Sequence, residues 1–179
     1  MHSFFPIGEQ AHWQTDIVAQ PEIKQWLFDP MSLTAKLKQV SSQFKLEVLG
    51  QAWFTPKDHT ELNFSEPSLI REVLLYSQGQ AWVYAHTQVP KSTIDSGNQS
   101  IANLGEQPLG ENIFKHPNLS RANIEVAAFD LSSRVFKLAQ SLNQKALPST
   151  LYGRRSLFKL ADKPLTVTEI FLADCEIYD

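Results

Sequence analysis

Two apolar strand patterns in this chain each carry one charge on the face that should be buried. In Ser68-Leu69-Ile70-Arg71-Glu72-Val73-Leu74-Leu75, the alternation puts Leu69, Arg71, Val73 and Leu75 on one face. In Leu165-Thr166-Val167-Thr168-Glu169-Ile170-Phe171-Leu172, it groups Leu165, Val167, Glu169 and Phe171. Such a pattern demands a sheet with a covered face, because a one-residue slip would turn the whole apolar set to water. A charge within that face is costly unless it is paired or binds an opposite charge. Arg71 and Glu169 therefore have two readings. One is structural, a cross-strand ion pair or two strand ends facing water. The other is a ligand pocket, in which Arg71 grips a carboxylate with its planar fork and Glu169 accepts from a hydroxyl or handles a proton. A cation and a carboxylate in apolar walls suit a small organic acid.

The remaining pattern is that of an α+β domain. Apolar runs at 69–76 and 81–89 are joined by Ser77-Gln78-Gly79-Gln80, which predicts a hairpin closed by Pro90. Runs at 151–160 and 165–172 flank Ala161-Asp162-Lys163-Pro164, a second hairpin. Phe44, Leu46 and Val48 alternate with Lys45 and Glu47 as a strand heading toward Trp53-Phe54, and 124–131 reads as another. Helical spacing covers 21–42, broken at Asp29-Pro30, and 93–115, broken by a turn at 105–108. Residues 132–145 fit either an amphipathic helix, through Val135, Leu138, Leu142 and Ala146, or a loop-like insertion. The expected architecture is one domain over residues 1–179, with 1–20 as a short N-terminal extension. It holds about six mostly antiparallel strands with helices packed on one face.

Composition removes several classes. A net charge of −3 carries no electrostatic footprint for nucleic acid. The apolar runs fall far short of the ~20 residues of a membrane span, and the first residues lack a signal-peptide pattern. The single cysteine, Cys175, excludes an internal disulfide and is compatible with a reducing cytosol. No His or Asn follows it, so it reads as part of a tail rather than a nucleophile. The expectation is a cytoplasmic monomer without stable membrane insertion. His2, His12, His59, His86 and His116 lack metal-ligand spacing, and no phosphate-binding glycine loop or nucleophile elbow is present. No metal and no cofactor are expected.

Three further stretches are candidates for a site. In Tyr152-Gly153-Arg154-Arg155-Ser156, adjacent arginines point to opposite faces, so at most one faces the core. The stretch is either a solvated edge or a second carboxylate anchor. Pro108-Leu109-Gly110 opens a short helix whose free N–H groups can meet an anion, although turn chemistry explains the same residues. His86 is either a satisfied strand histidine or a proton donor or carboxylate ligand.

At these residues the chain resembles the chorismate pyruvate-lyase (chorismate lyase) family of ubiquinone biosynthesis. The resemblance rests on Arg71-Glu72-Val73-Leu74-Leu75, on Pro90 with Ser92-Thr93-Ile94, and on Leu104-Gly105-Glu106-Gln107-Pro108-Leu109-Gly110 with Ile113-Phe114. It continues through Tyr152-Gly153-Arg154-Arg155-Ser156, Lys163-Pro164-Leu165 and Thr168-Glu169-Ile170-Phe171-Leu172, in order across roughly residues 20–172.

The resemblance implies a six-stranded antiparallel sheet with a ligand buried beneath helical flaps. It implies conversion of chorismate to 4-hydroxybenzoate and pyruvate without a cofactor, the first committed step toward ubiquinone. The family's site falls on Arg71, Glu169 and the backbone at Leu109, beside Gly110. A family position that is often Met falls on Leu33, and His86 stands where relatives tend to carry Arg. Arg71 would hold one carboxylate, and Arg154 or Arg155, with His86 in support, the other. The stretch 132–148 is expanded relative to the family pattern.

The same fold also serves as a small-acid effector-binding domain in bacterial transcription regulators. Those domains usually follow a helix-turn-helix, for which the segment before Pro21 is too short, so the enzyme is the favoured expectation.

Overall fold

The computed structural model describes residues 5–142 and 147–179. Seven strands form one sheet: β1 (Lys45–Phe54), β2 (Ser68–Ser77), β3 (Gln80–Pro90), β4 (Leu119–Arg121), β5 (Glu125–Phe129), β6 (Leu151–Leu160) and β7 (Lys163–Phe171). All pairings are antiparallel, in the order β1-β2-β3-β7-β6-β4, with β5 also paired to β6. The strand beyond the expected six is β4, whose three residues are too few to show an alternation. At the β2–β3 turn, Gln78 (φ 52°) and Gly79 (φ 78°) are both left-handed, the backbone that matches the twist of a two-residue hairpin.

The helices are α1 (Pro21–Leu27), α2 (Leu33–Val40), α3 (Lys91–Asp95), α4 (Leu109–Ile113) and α5 (Arg134–Ser141). Pro21 opens α1, where its missing N–H costs nothing. The Ser32 side chain caps α2 by accepting from the Ala35 N–H, and Ser133 caps α5 by accepting from Phe136. The stretch 132–145, ambiguous in sequence, is thus helical through Ser141; Ala146, the last apolar position of its pattern, lies outside the described residues.

Register fixes what each face carries. Val73, Ala85, Glu169, Arg154 and Val126 are successive cross-strand partners on one face. Glu72, His86, Thr168, Arg155 and Glu125 are successive partners on the other. The first face is covered by α1 and α2, through Ile23, Trp26, Leu27, Leu33 and Leu37, and by the segment from α3 to α4, through Ile94, Ile101, Leu104, Leu109 and Ile113. The second face is also covered. There Val135, Phe136 and Leu138 of α5 and Ile7 pack on Leu74, Tyr84 and Ile170. Helices therefore lie on both sides rather than one, because the apolar stripe of α5 fills the face that α1–α4 leave bare. The early residues are tied to the sheet: the Ile7 and Gly8 N–H groups donate to the buried Glu72 carboxylate, at 2.9 and 2.8 Å.

Candidate active site

The first face and its helical cover enclose a cavity of about 580 Å³, counting its mouth. Its floor is sheet: Arg71 and Val73 from β2, Ala85 and Thr87 from β3, Val167 and Glu169 from β7, Arg154 and Phe158 from β6. Its roof is the start of α2, with Ser32, Leu33 and Thr34, and the start of α4, with Leu109 and Gly110. A Cβ on Gly110 would sit 3.2 Å from Thr34 Oγ1, so the glycine permits the two roof helices to approach. A Lys38–Glu111 ion pair joins the same helices outside the cavity.

Arg71 is 5% exposed. Its Nη1 donates to Gln51 Oε1 (3.1 Å), and its Nη2 to the carbonyls of Gly105 (2.7 Å) and Gln107 (3.3 Å). These acceptors are neutral, and among the described residues no carboxylate pairs with it. Burial lowers its pKa from the ordinary arginine value, yet a guanidinium keeps its charge. A buried cation held only by neutral acceptors calls for an anion.

Glu169 does not pair with Arg71, from which β3 separates it. It accepts from Arg154 Nε at 2.6 Å. The Arg154 Nη1 donates to the carbonyls of Trp26 (3.2 Å) and Asp29 (2.7 Å), tying the Glu169 carboxylate to the connection between α1 and α2.

Arg121 also lines the cavity, and sequence reasoning missed it. It sits in β4, where no alternation marks a strand. Its only sequence signal is a place a few residues before the strand pattern at 124–131.

The sequence candidates divide cleanly. Arg71, Glu169, Arg154, Leu33, Leu109 and Gly110 all line the cavity. His86 and Arg155 do not, because strand parity turns them to the opposite face. Arg155 pairs with Glu125 (Nη2 to Oε2, 2.8 Å) and its guanidinium lies 4.8 Å from the Trp13 ring. His86, 1% exposed, meets Glu72 Oε1 through Nδ1 at 2.9 Å. Its neighbour Thr87 holds the cavity position instead.

Around His86 lies a buried polar cluster. Glu9 accepts from Thr168 and from Asn63 Nδ2 (2.5 Å), and Tyr84 donates to Gly8 O (3.0 Å). Burial raises the Glu9 pKa. For His86, burial opposes the charge, but the Glu72 hydrogen bond and the Glu9 and Glu72 carboxylates outweigh it and raise the pKa.

Cys175 is buried and its thiol is pushed up to about 12, which suits packing rather than attack. Among the described residues no group of three or more His, Cys, Asp or Glu is placed to hold a metal ion. No helix among them is long and apolar enough to cross a membrane.

The cavity thus sets three guanidinium charges against one carboxylate in walls that are otherwise mostly apolar. That arrangement suits a small dianion: it can bind, orient and desolvate the ligand, with one carboxylate available for a proton or a hydroxyl.

Comparison with known proteins identifies the family. A family profile described as Chorismate lyase matches residues 7–179. A protein of Shewanella frigidimarina named "Probable chorismate pyruvate-lyase" is 37% identical over 187 residues, covering 94% of this chain and 91% of its own length. One of the same name from Psychromonas ingrahamii is 38% identical over 179 residues, covering 97% and 96%. A solved GntR-family transcriptional regulator from Bacillus cereus superposes with a TM-score of 0.52 at 12% identity, over 74% of this chain and 92% of that one. This last likeness is one of fold alone.

Proposed function

The chain belongs to the chorismate lyase family, and from that premise we propose that it converts chorismate to 4-hydroxybenzoate and pyruvate by a cofactor-free elimination. The observation that carries the reading is Arg71, a buried cation with neutral partners only, in a cavity whose charges suit a dianion. Chorismate carries a ring carboxylate, a ring hydroxyl and an enolpyruvyl ether with a second carboxylate.

In this proposal Arg71 pairs with the ring carboxylate, beside the backbone at Leu109 and the side chain of Leu33. Glu169, held in place by Arg154, meets the ring hydroxyl. The ether C–O bond breaks on the ring side, and the ring loses the proton from its hydroxyl-bearing carbon. Pyruvate leaves as its enol form and gains a proton at the methylene carbon. Aromatisation supplies the driving force, so the chain mainly positions and desolvates its substrate. The proton goes either to Glu169 or directly to the departing methylene carbon. The proposed setting is the cytoplasm, with the chain acting as a monomer at the first committed step toward ubiquinone.

The test is incubation of the purified chain with chorismate alone. Equal amounts of 4-hydroxybenzoate and pyruvate are expected, with turnover abolished in Arg71→Ala. Added 4-hydroxybenzoate is expected to inhibit, because the aromatic product sits under α2 and α4 and leaves only when they part. Thermal stabilisation by 4-hydroxybenzoate with no turnover would instead mark an effector-binding domain.

A further inference from the structure

Arg121 lies in the cavity wall with no part in the elimination just described. It stands on β4, paired with Phe158 of β6, and its guanidinium lies 4.7 Å from the Phe158 ring. Its Nε donates to Ser156 Oγ and its Nη1 to Pro30 O, both at 2.9 Å. The ring and the two oxygens fix the plane of the guanidinium without neutralising it. Among the described residues no carboxylate lies within ion-pair distance of it; Glu169 and Asp29 act on it only from farther away. Its pKa is lowered to about 10, first by burial and then by the neighbouring Arg154 cation. An arginine serving only to hold Pro30 would bear that burial for a hydrogen bond that a neutral donor could make.

The charges then sort themselves. Glu169 answers Arg154, which leaves Arg71 and Arg121 each without a carboxylate. Arg71 stands on β2 and Arg121 on β4, with β3, β7 and β6 between them. Four strand spacings separate their backbones, about 19 Å. Both side chains line the one cavity, which leaves room between them for a small molecule with an acid group at each end.

We propose that Arg121 holds the carboxylate of the enolpyruvyl arm while Arg71 holds the ring carboxylate, and that His86 and Arg155 contact neither. This assignment rests on the chorismate lyase reading of the same cavity. It has a direct corollary. The arm's carboxylate departs with pyruvate, so Arg121 engages the substrate but not the aromatic product.

The experiment compares the unaltered chain with Arg121→Gln and Arg121→Lys, measuring kcat and KM for chorismate and, separately, the Kd of 4-hydroxybenzoate. Arg121→Gln is expected to weaken chorismate binding about 10- to 100-fold, the range for losing one charge-assisted contact. Its affinity for 4-hydroxybenzoate should stay unchanged, and Arg121→Lys should recover part of the loss. Parallel weakening of both ligands would overturn the proposal, since Arg121 would then serve only to hold the roof through Pro30. An unchanged chorismate KM would overturn it as well. Failure of the lyase reading shows itself separately, as absence of turnover by the unaltered chain.

Discussion

At the residue scale, Glu169 is the group whose role is most open to a single substitution. Its carboxylate is fixed by Arg154 Nε at 2.6 Å, and its side chain is 15% exposed at the cavity floor. Glu169→Gln keeps the shape and an acceptor oxygen but removes the capacity to take a proton. If Glu169 is the base, kcat should fall by about 100-fold or more with KM little changed. If it only positions the ring hydroxyl, KM should rise and kcat should hold. Steady-state kinetics on the one variant separates these outcomes. The facing directions of Arg71 and Glu169 were legible in sequence, because alternation is a local property of a strand; of Arg154 and Arg155 it gave only that they face opposite ways. Their partners were not: Gln51 and the Gly105 carbonyl reach Arg71 from segments that no short-range pattern connects to it.

At the element scale, the pairing of β6 with β7 sets the spacing of the cavity floor. Gly153 lies opposite Ile170 on the second face, one residue before Arg154. A Cβ there would come within 2.9 Å of Ile170 Cγ1, 3.0 Å of the Phe129 ring and 3.2 Å of the Glu169 carbonyl. Gly153→Ala should therefore push β6 from β7 and cost about 1–3 kcal/mol of stability, the usual scale for overpacking. Denaturant unfolding measures it. The same shift would spread Arg154 from Glu169, so activity should fall beyond what the lost folded fraction explains. The glycine of the Tyr-Gly-Arg-Arg-Ser stretch is thus required by packing on one face, next to the Arg154–Glu169 pair on the other. Hairpins and long strands were readable from apolar period and turn residues. The short β4 was not, because three residues cannot establish a period, and it is β4 that delivers Arg121.

At the scale of the whole molecule, the two faces divide the work. One encloses the cavity, and the other holds Ile7, Gly8 and Glu9 through a buried cluster of ionisable groups. That cluster makes stability depend on pH. The His86 pKa is raised above 6.5 in the fold, so its contribution is complete below 6.5 and is lost as pH rises through the folded value. Glu9, raised above 4.5 by burial, adds a loss of its own that sets in as pH rises above 4.5 toward its folded value. Glu72 acts oppositely. Burial raises its pKa, but the hydrogen bond and charge of His86 and the Gly8 and Ile7 N–H groups outweigh that and bring it below 4.5. Its contribution is present above 4.5 and is lost as pH falls through the folded value. The thermal midpoint should therefore drop as pH is raised above 6.5, and His86→Gln should flatten that drop while lowering stability overall. Thermal scans across pH check both.

The sequence by itself determined which residues of a strand share a face, where the hairpins turn, and that charges would lie among apolar neighbours. It determined these because each is a matter of local period and backbone preference. Only the tertiary structure decided the rest. The β3–β7 pairing set Glu169 across β3 from Arg71, the β4–β6 pairing brought Arg121 to the cavity, α5 settled on the second face, and His86 was given to Glu72 and Glu9. Parity along one strand says nothing of which strand will lie beside it, and partnership across strands is settled by contacts far apart in the chain.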